Sequence, residues 1–252
     1  MNIEDLDKLI NFLKNYQLLY GDNYIIDIDS LEEKVKNWPD IQIKMGQMKE
    51  KTEKIKPHSP TEKPNTPLWN FMREIKDCMK CPLGQTRTKF VFGEGNENAD
   101  IMFIGEAPGG DEDRTGIPFV GRAGKLLDKL LEDIQIKREE VFIANILKCR
   151  PPGNRDPLPS EIEQCFPYLF KQIELIKPKI IVALGRISGQ RLLNTTASLK
   201  QLRGRIWQYR GVNLIVTYHP AAILRNAGLL ETAKEDFKFI AETYREILKH
   251  KK

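Results

Sequence analysis

No apolar run in this sequence approaches the roughly 18 to 20 residues that a bilayer-spanning helix needs, and the mean hydropathy is -0.45. A membrane partner is therefore not expected. Basic residues are missing from the first seven positions, where Glu4, Asp5 and Asp7 stand instead. A secretory signal is therefore not expected, and a cytoplasmic location is the expectation. There is no Gly-Lys-Ser/Thr ending to close a Walker loop, no Rossmann glycine fingerprint for flavin or nicotinamide, and no internal repeat. Only four cysteines occur in 252 residues. A chain of that length buries its own core, so a disulfide-stapled scaffold is excluded, and in a reducing compartment the cysteines read as metal or cluster ligands.

What is there is unevenly distributed. Residues 1–68 carry 10 basic and 12 acidic side chains, leaving 30 and 23 for the rest, so a front of -2 precedes a body of +7. The basic body suits a polyanion such as nucleic acid, although many basic surfaces are merely solvated. Ile3, Leu6, Leu9, Ile10, Leu13 and Tyr16 fall at helical spacing, and Ser30 to Glu33 has the form of a capping box before a second helix. Residues 1–43 thus read as a small helical extension. Residues 44–67 gather lysines and then Pro57, Pro60, Pro64 and Pro67, which suits an extended linker. A compact domain is expected over 68–252.

Within it, short apolar runs alternate with amphipathic segments. Ile101–Ile104 precedes a helix over Leu126–Ile134, and Val141–Ile146 precedes one over Ile162–Ile176. Ile180–Leu184 is followed by a short helix to Leu193, and Leu214–Tyr218 by a C-terminal helix with Ala233, Phe237, Ile240, Tyr244 and Ile247 on one face. Continuous apolar strands are buried on both faces. The expected fold is α/β, a three-layer α/β/α sandwich around a mainly parallel four-stranded sheet. In such sheets chemistry gathers at the carboxyl ends of the strands, which directs attention to residues 105–121, 145–155 and 219–225.

The first of these stretches reads GEAPGGDEDRTGIPFVGRAG, with Glu106 directly after a strand and the acids Asp111, Glu112 and Asp113 at the tip. Its glycines admit a ligand close to the backbone, but it is also what a turn with a solvated acidic tip looks like. Phe119 could fill the core or wall a pocket. Asn145 ends a strand, where a carboxamide can read a planar heterocycle or merely cap a turn. His219, restrained by Pro220, also ends a strand. A lone histidine is usually structural, yet Glu106, Asn145 and His219 leave equivalent ends of three strands, as side chains lining one cleft would. Cys78-x2-Cys81 and Cys149-x15-Cys165 could close a four-thiolate site, the last on a helix read from Ser160 with Glu163 completing its capping box. Tetrahedral zinc and a four-iron cluster are both compatible with four thiolates, and unligated buried cysteines are the ordinary alternative.

The ordered motifs CMKCPL, GEAPG-x-x-ED-x-x-G-x-PFVG-x-AG, NILKCRPPGNR and HPAAILR resemble the family 4 uracil-DNA glycosylases, over roughly Phe71 to the C-terminus. The resemblance implies a [4Fe-4S] cluster on Cys78, Cys81, Cys149 and Cys165, structural in role. It also implies hydrolysis of the N-glycosidic bond of deoxyuridine in single- or double-stranded DNA, releasing uracil and leaving an abasic site. Uracil would flip out, stack on Phe119, be read by Asn145 and leave as an anion steadied by His219. Ala107 stands where family 1 has a water-orienting aspartate and is expected to line the uracil pocket. Water positioning is assigned to Glu106, with Glu112 in support. Gly109 stands where family 1 excludes thymine with a tyrosine. Ile223 and Leu224 are expected to fill the vacancy in the DNA, and Arg225, Arg150, Arg155, Arg114 and Arg122 to meet phosphates. A monomer is expected. The extension lies outside the resemblance and is where a repair-protein partner would be sought. The competing reading is a non-catalytic nucleic-acid-binding protein stapled by a metal.

Overall fold

The computed structural model describes residues 63–249, and one compact unit starts at Asn65. The helices read at residues 3–20 and from Ser30 lie outside the described residues, as does most of the linker. The chain enters through α1 (Pro67–Ile75), whose proline occupies the first turn, where its missing N–H leaves no bond unmade. Leu68 and Trp69 are buried, and the indole meets Phe92 and Phe142 at ring distances of 5.8 and 6.2 Å. A helical turn, α2 (Leu83–Thr86), follows the first two cysteines.

The sheet is built on β2 (Ile101–Gly105), β3 (Phe142–Asn145), β4 (Ile180–Leu184) and β6 (Val212–Thr217). These run parallel in the order β3-β2-β4-β6, the four-stranded parallel arrangement expected from their apolar sequences. Two antiparallel edge strands, β1 (Glu94–Gly95) and β5 (Ile206–Tyr209), extend it to six. β5 escapes a search for apolar runs because it is half-exposed. Its signal is alternation before a tight turn, in which Arg210 and Gly211 have φ of 50° and 84°. Two successive positive φ values match the right-handed twist of a hairpin.

Alternate residues of each strand feed separate cores, which gives the three layers their physical basis. Met102, Ile104, Ala144, Ile181 and Val216 face one layer, containing α1, α5 (Pro159–Ile176), α6 (Arg186–Leu193) and α7 (Leu199–Leu202). Ile101, Phe103, Ile143, Val182 and Ile215 face the other, with α4 (Arg122–Asp133) and α9 (Leu230–Lys249). Phe103 stacks on Phe237 of α9 at 5.9 Å and 17°. Each such fully buried aromatic or aliphatic side chain contributes about 1.5 to 3 kcal/mol. α5 starts before the residue its sequence suggested: Glu161, not Glu163, accepts the Leu158 N–H at 2.8 Å and caps it. Two short helices, α3 (Gly110–Thr115) and α8 (Pro220–Arg225), sit in the loops that leave the carboxyl ends of β2 and β6.

Candidate active site

The loops after β2, β3, β4 and β6 enclose a cavity of about 520 Å³, lined among others by Glu106, Ala107, Glu112, Phe119, Asn145, Gly185 and His219. The β2–β3 ladder runs one step past the strands, with Ile146 N–H bonded to Gly105 C=O and Leu147 N–H to Glu106 C=O, both at 3.0 Å. That register sets Asn145 beside Gly105, one residue before Glu106, and both Glu106 and Asn145 line the cavity. A Cβ on Gly105 would lie 2.3 Å from Asn145 Oδ1 and 2.7 Å from Phe119 Cζ, so both side chains close over space that only glycine leaves open. Phe119 is buried and has φ of 52°, an uncommon conformation for a bulky residue and one that clusters at functional sites. Its ring lies 5.4 Å from the His219 ring.

Asn145 is buried, and among the described residues its Oδ1 is the buried side-chain polar atom with no hydrogen-bond partner. An acceptor stripped of water and given nothing in return costs about 1 to 3 kcal/mol, which a donor on a bound ligand would recover. His219 caps α8, its Nδ1 accepting the Ala221 N–H at 3.1 Å. In the neutral ring the proton therefore sits on Nε2. Burial, assisted by the nearby Arg225, pulls the imidazole down to about 4, so it is neutral at ordinary pH and still able to donate. Burial pushes the Glu106 carboxyl up to about 7; Asp156 adds to this, while Arg186 and Arg225 oppose it.

Sequence motifs alone do not single out Asp156 and Arg186, both of which line the cavity. Arg186 follows β4, the one central strand whose exit carries no acid, amide or histidine, so only its place in the sheet reveals it. Its guanidinium approaches Asp156 at 3.9 Å across the mouth. Glu112 is held by backbone amides on two sides. Its Oε1 accepts from Val120 and Gly121 N–H at 2.9 and 3.0 Å, and its Oε2 from Gly109 N–H at 3.1 Å. A carboxylate engaged by three amides ties the α3 turn to the Phe119 loop.

The uracil DNA glycosylase superfamily model matches residues 92–247, which span every strand end of the cavity. The chain belongs to that superfamily. It is 47% identical to a type-4 uracil-DNA glycosylase of Archaeoglobus fulgidus over 183 residues, covering 69% of this chain and 92% of that one. A type-4 enzyme of Sulfurisphaera tokodaii is 49% identical over 69% of this chain and 84% of its own, and one of Thermotoga maritima 47% over 60% and 80%. These likenesses place the chain among the type-4 glycosylases.

For a glycosylase, the HPAAILR segment needs correcting. Ile223 has no exposed surface and belongs to the core beneath α4, so it is unavailable as a wedge into DNA. The helical turn of α8 points it inward. Leu224 is partly exposed, and Arg225 is exposed at the cavity edge. Arg155 is gripped by both oxygens of Glu161 at 2.9 and 2.6 Å, Arg150 donates to Asn154 at 2.7 Å, and Arg114 pairs with Asp111 at 2.8 Å.

The four cysteines are free thiols: Cys149 and Cys165 buried, Cys78 and Cys81 half-buried. Each buried thiol is raised chiefly by burial, Cys165 to about 12, and both feel their neighbours: Cys81 and Cys78 act on Cys149, and Cys149 and Cys81 on Cys165. Donors are aimed at sulfur. Tyr168 O–H reaches Cys78 at 3.2 Å, Lys148 N–H reaches Cys165 at 3.3 Å, and Arg87 reaches Cys149 at 3.5 Å. Among the described residues no group of three or more His, Cys, Asp or Glu is gathered tightly enough for a single metal ion. Three of the four sulfurs thus receive donors, Cys78 from Tyr168, Cys165 from Lys148 and Cys149 from Arg87, a chemistry that suits thiolate ligands.

Proposed function

We propose that this chain excises uracil from DNA by hydrolysing the bond between the base and deoxyribose. One observation carries the reading of the site: the orphaned Asn145 Oδ1 in a cavity walled by Phe119. Uracil presents an N3–H donor beside its O4 acceptor, the complement of a carboxamide, whereas cytosine presents the reverse. A mismatched edge leaves both partners unpaired, at about 1 to 3 kcal/mol for each group.

The duplex pays a few kcal/mol to release a base, least for a mispaired or single-stranded one. Once inside, the pyrimidine stacks on Phe119 with its O2 toward the Nε2–H of His219. As the glycosidic bond breaks, its electron pair moves onto the ring and the sugar becomes cationic. A neutral imidazole donating to the developing O2 anion is a preorganised donor of the oxyanion-hole kind. Glu106 accepts a proton from the water that adds to the sugar carbon, and its raised proton affinity suits it to that task near neutral pH. Arg186 and Arg225, at the mouth, draw in the phosphates on either side.

Cys78, Cys81, Cys149 and Cys165 are proposed to hold a [4Fe-4S] cluster. When bound it supplies a covalent tie between the segment after α1 and the loop after β3, and no redox step. A strand carrying one uracil, incubated with the protein and then treated with alkali, should break at that position. An intact strand, with protein shown by iron and sulfide analysis to be loaded, would overturn the proposal.

A further inference from the structure

Lys148 has no exposed surface and takes no part in the chemistry above. Its ammonium donates to the main-chain carbonyl of Asn145 at 2.8 Å and to Gln172 Oε1 at 2.5 Å. Gln172, equally buried on α5, donates in turn to the Phe92 carbonyl at 2.8 Å. Both acceptors of the ammonium are neutral. Burial disfavours its charge, opposed in part by the Cys165 and Cys149 sulfurs, so a lysine here is a costly choice where an aliphatic residue could fill the core.

The position of this lysine suggests what the cost secures. Its own N–H contacts Cys165 Sγ at 3.3 Å, and its chain neighbour is Cys149. Cys165 and Gln172 are seven residues apart on α5, hence two turns along one helix face. One helix therefore grips Lys148 at both ends, at the backbone through sulfur and at the ammonium through an amide. Asn145 hangs from that ammonium by its carbonyl, while its side chain lies against Gly105 at the cavity floor. Hydrogen-bond discrimination weakens steeply with angle and with tenths of an ångström, so an amide that reads a base needs a fixed backbone.

We propose that Lys148 is a positioning residue for uracil recognition: with Gln172 it forms a buried strut that registers the Asn145 carboxamide against α5 and the cysteine pocket. The proposal rests on the reading of Asn145 given above. Its test uses the full chain with Lys148→Met and, acting from the helix side, Gln172→Met. Both are checked for folding by urea denaturation and for the visible absorbance of the loaded protein. Single-turnover excision is followed against enzyme concentration on a single strand bearing one uracil. Half-saturation should rise about tenfold in each variant, the worth of about one net hydrogen bond, while the maximal rate stays near the parent's. Adding Lys148→Met to Asn145→Ala should weaken binding no further than Asn145→Ala alone, because a strut with nothing to position has no effect.

Parent-like half-saturation in a folded Lys148→Met, beside a weakened Asn145→Ala, overturns the strut and leaves the Asn145 reading standing. Additive losses in the double variant overturn it as well. An Asn145→Ala that excises uracil like the parent brings down both readings. Loss of folding in both Lys148→Met and Gln172→Met would show that the pair holds the fold rather than the reading edge, and that too ends the proposal.

Discussion

Two groups of buried polar side chains sit near the ends of the same parallel strands and are finished in opposite ways. Behind β6, Asp236 accepts from Arg203 through both oxygens at 2.7 Å and from Thr217 at 2.6 Å, while Arg203 also meets Tyr218 O–H at 3.1 Å. That cluster closes on itself. In the cavity, Asn145 Oδ1 has no partner, the Glu106 carboxyl is pushed up by burial, and His219 has only its Nδ1 engaged. Buried polar groups that complete one another hold a fold together, whereas groups left incomplete in a concave site are waiting for a ligand.

The contrast can be broken most sharply at its two centres. Replacing His219 by alanine should lower the single-turnover rate by about 10² to 10³, since it removes one preorganised donor, and the unfolding free energy by only about 0.5 to 2 kcal/mol, the worth of the α8 cap it also removes. A near-parent rate would make His219 structural. Asp236→Ala should do the converse: it strands the half-buried Arg203 charge and the buried Thr217 hydroxyl and lowers the unfolding free energy by about 3 kcal/mol, with a parent-like excision rate at temperatures where the variant is folded. A lost rate with unchanged stability would erase the distinction between the two clusters.

Smaller effects sharpen it. Glu106 is useful as a base only when ionised, and its carboxyl titrates at about 7, so the excision rate should fall as pH drops below 7, by about tenfold per unit at the acid end. His219 does not confuse this limb, because its imidazole stays neutral until about 4. Glu106→Gln should be slow and flat across the same range; a retained acid limb would assign the titration elsewhere. The smallest change is expected at the rim. Arg225→Ala should reduce the steepness of binding against salt, on a logarithmic scale, by about 0.9, one phosphate's worth on duplex DNA. An unaltered slope would take Arg225 off the DNA.

Much of this was legible because some residues carry unambiguous physical instructions. Ile101–Gly105 and Ile180–Leu184 are apolar without alternation, and only a strand covered on both faces accepts that. The three strand-end residues Glu106, Asn145 and His219 were legible as a set for the same reason. Glu112 was not, because an acid near a sugar site and an acid capping a short helix look identical in a string. The spacing of Gly109 to Glu112 was the signal for the cap. Ile223 misled because the apolar character of HPAAILR is shared between a core contact and an exposed edge, and only the rotation of α8 separates them. Arg186 and Asp156 carry no motif at all.

Local chemistry written along the chain was enough to specify the parallel sheet, the strand ends that bear the site and the four thiols, because burial on two faces and the chemistry of a carboxamide, an imidazole or a thiol are properties of residues in order. Which acid faces the cavity, which apolar residue is free to leave the core, and how a buried lysine ties Asn145 to α5 depend on distances between segments remote in sequence. Those distances are set by how the layers close on one another, and no run of neighbouring residues encodes them.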